Sequence, residues 1–176
     1  MEGAAGTITR INNRPGWVSK TMKRKGKGKA SLPVDQQVEI QQWSHTFLTP
    51  FKILFTPNAA ANTARSYQME EIDSSRPLEK VTDPALELEI LRYYRAAVKR
   101  GFFPHDFELY TQPSGKVALL DFDKFGTLSG RSVTLPHGLS LPIEDAVKQP
   151  IFTEAFGERL ATRMLRSKTR SRSKSK

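Results

Sequence analysis

Residues 107–123, FELYTQ-PSG-KVALLDFD, hold two runs of alternating apolar residues on either side of a Pro-Ser-Gly turn. Alternation of period two puts every second side chain on one face, and the turn lets the chain double back, so the stretch predicts an antiparallel hairpin. Its second run ends in two acids, Asp121 and Asp123, one residue apart. A buried strand that finishes on carboxylates has to provide for their charge. Three readings do so: a metal ligand for a bound nucleotide, a phosphate-accepting nucleophile, or solvated acids at a strand end.

The rest of the chain narrows the architecture. GTITRINNRPGWVSKTMKR predicts two short strands around a turn at residues 12–16. SLPVDQQVEIQQWSHTF predicts a helix, with Ser31 near its cap, Pro33 in its first turn, and a modest apolar face of Val34, Val38, Gln41, Gln42 and Phe47. FKILFT and SYQMEEI read as strands and NAAANTAR as a loop. DPALELEILRYYRAAVKRG carries the full set of helix signals: Asp83 as cap, Pro84 at the first position, Lys99 and Arg100 at the end, and Gly101 as stop. After the hairpin come an irregular stretch or short strands over 127–142 and two further helices. The order is strand, strand, helix, strand, strand, long helix, hairpin, helices. That is α+β, without the β-α-β alternation of a parallel doubly wound sheet.

The chain's net charge of +10 is localised. Lys20 to Lys29 holds six basic residues and Arg166 to Lys176 six more, so the remaining 16 basic residues face 18 acids and the body carries about −2. The tail alternates Arg/Lys with Ser and Thr and has no apolar residue, which predicts disorder over 166–176. Nucleic acid or another polyanion is the expected partner of both basic segments, with nuclear import, a phosphorylation switch or simple solubilisation as alternatives for the tail. No apolar run approaches the ~20 residues of a membrane span, the first ten residues lack a secretory pattern, and cysteine is absent. These features suit an intracellular protein.

The succession of elements resembles the protein-kinase fold, in a compact form of the kind associated with large DNA viruses. GWVSKTMKR is similar to the strand whose lysine grips the α- and β-phosphates, which puts Lys20 in that role and Glu39 of the next helix as its ion-pair partner. YQMEEIDSSRPLEK is similar to the hinge between two lobes; Met69 would border the adenine pocket, and Glu70 and Ile72 would offer backbone groups to the base. FFPHDFEL matches the start of the catalytic loop, with Asp106 as base. LLDFDKFG resembles the metal-binding segment, with Asp121 as Mg²⁺ ligand and Asp123 as a second metal contact or a helper that orients the loop. The resemblance spans residues 6–126. It implies a β-rich lobe with one helix and the hinge over 1–80, a reduced helical lobe carrying the hairpin over 81–165, the basic tail beyond, and ATP with Mg²⁺ in the cleft between the lobes.

The departures bear on activity. There is no G-x-G-x-x-G before Lys20, the asparagine five residues after the catalytic aspartate is Thr111, and Pro104-His105 replaces the His-Arg pair. Glu108 is a candidate to face the metal instead. Asp123 stands where the motif has glycine, so it is expected to carry that glycine's backbone geometry. No A-P-E follows Gly126. Two functional expectations result: a phosphotransferase of reduced or altered activity, or a catalytically dead scaffold that binds nucleic acid or a protein through its basic ends. LLDFDKFGTLSG also resembles the first motif of haloacid-dehalogenase-like phosphatases, with Asp121 as nucleophile and Asp123 as acid/base. Lys124 and Phe125 interrupt that motif, and the later β-α units it needs are missing. A D-x-D site of a sugar-nucleotide transferase lacks the α/β domain that would precede it. His45, His105 and His137 are not spaced as a metal cluster; His105 stands out only for its place beside Asp106.

Overall fold

A computed structural model describes residues 6–23 and 30–172, with the side chains of 167–172 excepted. In chain order the first elements are β1 (Gly6–Arg10), β2 (Trp17–Met22), α1 (Val34–Phe47), β3 (Leu54–Phe55), β4 (Ala59–Thr63) and β5 (Ser66–Glu70). Then follow α2 (Pro84–Lys99), β6 (Phe102–Phe103), β7 (Glu108–Thr111) and β8 (Val117–Leu120). The last are β9 (Gly126–Ser129), β10 (Ser132–Thr134), β11 (Ser140–Pro142), α3 (Ile143–Ala146) and α4 (Glu154–Arg172). The protein is α+β. No helix among the described residues is long and apolar enough to cross a membrane.

Two compact units share the chain. Unit 1 takes residues 1–77 and 107–123, and unit 2 takes 78–106 and 124–176. The first division falls after Pro77. The hairpin, however, belongs to unit 1 and not to the helical unit, because β8 forms a parallel pair with β3, Leu54 opposite Val117.

Unit 1 contains an antiparallel sheet in the order β1-β2-β5-β4 and a smaller sheet, β3-β8-β7. The β7–β8 hairpin has Leu109 opposite Leu119, and Gly115 closes its turn at φ 82°, a left-handed conformation that costs glycine little. Val18, Met22, Val34, Val38, Ala59, Tyr67, Met69 and Leu120 form one buried cluster that joins α1 to the sheet and to the end of β8. NAAANTAR, expected as a loop, instead supplies β4. Alanine has weak strand propensity, but pairing with β5 satisfies its backbone and tertiary context prevails. On α1 Gln41 is packed inward, its Nε2 donating to Pro57 O at 3.0 Å, while Gln42 is exposed and donates from Nε2 to Ala59 O at 3.0 Å.

Unit 2 is built on α2. Asp83 caps it by accepting from Ala85 N–H at 2.9 Å, and Leu86, Ile90, Tyr94 and Ala97 are buried as their spacing requires. Tyr94 packs edge-on to Phe103 and Phe152, and Phe152 onto Phe156 of α4. The irregular stretch becomes a meander, β11-β10-β9-β6. Gly126 is obligatory in it, because a Cβ there would lie 2.8 Å from Thr134 O. The tail was expected to be disordered from Arg166, yet α4 continues through Arg172. Arginine and lysine are good helix formers, their charge complements the C-terminal dipole, and the packed first half removes the nucleation cost. Residues 24–29 of the first basic segment and 173–176 of the tail lie outside the described residues.

Candidate functional site

β2 directs Lys20 inward, leaving it 9% exposed opposite Tyr67 of β5. Its Nζ donates to Asp121 Oδ1 at 3.2 Å, across 101 positions of sequence, and lies 6.0 Å from the centroid of the Tyr67 ring. Burial works against a charge on Lys20; Tyr67, Asp121 and Asp123 work for it and prevail, so the ammonium is held above the ordinary lysine range. The partner is therefore Asp121, not the expected Glu39. Glu39 is exposed: the residues that α1 buries, Val34, Gln37, Val38, Ile40, Gln41 and Ser44, lie on the side of the helix away from it.

Asp121 follows β8 directly. Burial pushes its carboxyl up to about 6, against the pull of Lys20 and with the help of the neighbouring charges of Asp123 and Glu108. Phe122, fully buried, anchors the segment between the two acids. Asp123 is itself only 1% exposed and accepts a hydrogen bond from Ser31 Oγ at 2.7 Å, while its carbonyl accepts from Leu32 N–H at 2.8 Å. Ser31 thus serves Asp123 and does not cap α1, whose N-cap is Pro33. Glu108, exposed on β7, lies opposite Leu120 and accepts from the Tyr110 hydroxyl. Among the described residues no three His, Asp or Glu side chains are arranged to hold a metal by themselves.

The special backbone falls two residues before its expected place. Asp121, not Asp123, has a left-handed φ of 66°, and among the described non-glycine residues only Asp106, at φ 48°, shares that region. Aspartate tolerates it better than most side chains, at a cost of about 1 kcal/mol. Both positions are acids that the sequence singled out.

Met69 is buried in the core cluster, opposite Val18, with its sulfur 3.7 Å from Gln41 Nε2. Glu70 has its N–H on Asn58 O at 3.0 Å and takes Asn58 N–H on its own carboxylate at 2.8 Å. The next N–H, of Glu71, goes to Gly16 O at 2.8 Å. Ile72 packs against the core cluster, and its N–H takes no part in these bonds.

In unit 2, Asp106 is exposed and its carboxylate meets Lys124 Nζ at 3.1 Å. Lys124, which the sequence marked as an interruption of the phosphatase motif, thus has a protein partner. The Asp106 N–H donates to Gln149 Oε1 at 3.0 Å. Gln149, 6% exposed, also donates to the Tyr94 hydroxyl at 2.8 Å, and Tyr94 OH donates to Pro104 O at 2.7 Å. This buried network fixes the backbone around Asp106. Sequence reasoning missed Gln149; its one signal was a glutamine before Pro150, three residues past the end of α3. His105 Nδ1 is buried without a partner among the described residues, and burial holds its ring below the ordinary histidine value, in the neutral form at pH 7.

Comparison with protein-family models, curated proteins and solved structures finds no match for this chain.

Proposed function

We propose that the chain is a trimmed protein-kinase-like protein that binds a nucleoside triphosphate of the ATP class with Mg²⁺, held through Lys20 and Asp121. The observation that carries this reading is their pair: a buried ammonium and a crowded carboxylate brought to 3.2 Å at the end of a core strand. Lysine has three N–H donors; one lies on Asp121 and the Tyr67 hydroxyl engages another, which leaves one for a phosphate oxygen. Asp121 and Asp123 crowd one ammonium, an excess of negative charge that a cation would offset. Carboxylate oxygens are the donors Mg²⁺ takes, normally one or two from protein with phosphate and water completing the shell. Bound there, the ion would neutralise phosphate charge. The partly buried Ile8, Ile72 and Tyr110 beside the core cluster offer apolar surface for a base.

Asp106 is the candidate base for phosphoryl transfer, its backbone set by Gln149. A second reading, a scaffold that binds nucleotide without transferring phosphate, is favoured by the Asp106–Lys124 pair, in which the carboxylate already meets an ammonium at 3.1 Å instead of standing free for a substrate hydroxyl. The phosphatase alternative needs a parallel α/β sheet, and among the described strands β3–β8 is the one parallel ladder.

Melting curves with ATP, with and without Mg²⁺, test the proposal. A ligand at a hundredfold excess over its Kd stabilises by about 2.7 kcal/mol. A Mg²⁺-dependent rise in Tm that vanishes in Lys20→Ala and Asp121→Asn is expected. No rise at millimolar ATP would sink the nucleotide reading. Asp106→Asn should keep the rise and lose any transfer of labelled γ-phosphate; a wild type that shows the rise but transfers nothing is the scaffold.

A further inference from the structure

α4 segregates its charge along its length. Its acids, Glu154 and Glu158, stand in the first turns, and from Arg159 to the chain end there is none. Arg159, Arg163 and Arg166 are exposed, and the sequence continues the same 4-3-4 spacing to position 170, also arginine. On a helix of 3.6 residues per turn these four positions fall on one face, over about 16 Å. Phe156, Leu160, Ala161 and Met164 of the same helix are buried, so its packing fixes which face looks outward.

Complementing the helix dipole would need cations only in the last turn. Arg159 and Arg163 sit far from it, so the dipole does not account for them. Glu87 occupies Arg159, but Arg163 has no partner among the described residues. Arg159, Arg163 and Arg166 also wall a groove of about 500 Å³ between α2 and α4, with Leu88 and Leu91 on its other side and the acids Glu87 and Glu158 in its lining beside Arg159. A cationic ridge beside an open groove is a seat for a chain of regularly spaced anions. An anionic membrane fits less well: helices that lie on bilayers insert an apolar face, and that of α4 is buried in unit 2.

We infer that the outer face of α4, through Arg163, Arg166 and Arg170, binds the phosphate backbone of nucleic acid. This surface is independent of Lys20 and Asp121. The test uses the full-length chain and a fluorescein-labelled 20-base-pair DNA duplex, with binding followed by polarisation between 50 and 200 mM salt. Each phosphate contact contributes about −0.9 to the slope of log K against log salt, so three contacts alone cost about 40-fold over that range.

Two variants remove equal charge: Arg166→Ala/Arg170→Ala on the ridge, and Lys168→Ala/Arg172→Ala, whose positions fall on the opposite face. Alanine preserves the helix, and circular dichroism checks that it does. The ridge variant should lower the slope by about 2 and weaken binding more than tenfold at 50 mM salt, while the second leaves the slope unchanged. Equal losses in both variants would mean an undirected charge run and overturn the inference, as would no binding by the wild type. Equal affinity for poly-glutamate or for phosphatidylserine vesicles would overturn the assignment to nucleic acid.

Discussion

Replacing Asp121 with asparagine keeps its shape, tolerates the left-handed backbone about as well, and removes one charge from a crowded site. Burial and the neighbouring acids raise this carboxyl from 3.8 to about 6 despite Lys20. The folded protein therefore holds the proton more tightly than the unfolded chain. Stability from this group is full below pH ~3.8 and is lost as the pH rises through about 6. The rise corresponds to about 3 kcal/mol at most. The side chain is 20% exposed, so water screens part of that; about 1–2 kcal/mol is the working figure. Asp121→Asn should thus stabilise the protein at pH 7 by that amount, or about 2–8 °C in Tm. An ion pair kept for stability would show the reverse, a loss of 3–5 kcal/mol on removal of one buried partner. Both tryptophans, Trp17 and Trp43, lie in unit 1, so their fluorescence in urea reports the unit that holds the site. The difference between wild type and variant should shrink towards zero between pH 7 and pH 4. A variant less stable than wild type at pH 7 would refute the reasoning.

Two further substitutions test the framework. Gly126→Ala should cost unit 2 about 1–3 kcal/mol, because the added methyl overlaps Thr134 O and nothing rigid can yield; a Tm equal to wild type would contradict it. Gln149→Leu should cost about 2–4 kcal/mol, since it leaves the Asp106 N–H without its acceptor and the Tyr94 hydroxyl without its donor. Unchanged urea midpoints would show that water replaces the glutamine.

The elements with strong local signals were legible in the sequence. The Pro-Ser-Gly turn and its alternation gave the β7–β8 hairpin, and Asp83, Pro84 and Gly101 bracketed α2, because turns and caps are decided by a few adjacent residues. What depends on pairing partners was not legible. β4 has the composition of a loop and becomes a strand only beside β5, and the hairpin joins unit 1 through a two-residue parallel contact with β3. At the site, Lys20 and Asp121 were both singled out, but which acid meets the lysine was not. Glu39 is close in sequence and turned away by the apolar face of α1, whereas Asp121 is distant in sequence and adjacent in space. Ser31 looked like a cap because serine before a helix usually is one; only the folded chain brings Asp123 to it. Gln149 had no period or motif to mark it, since its role comes from the carbonyls, the hydroxyl and the N–H that surround it.

Calorimetric titration with ATP bears most directly on the pairing of Lys20 and Asp121 around one nucleotide. Wild type should bind in the presence of Mg²⁺ and at least tenfold more weakly in excess chelator, with Lys20→Ala and Asp121→Asn each losing the Mg²⁺-dependent component. Binding of equal strength in all three proteins, or in none at millimolar ATP, would contradict that pairing as a nucleotide site.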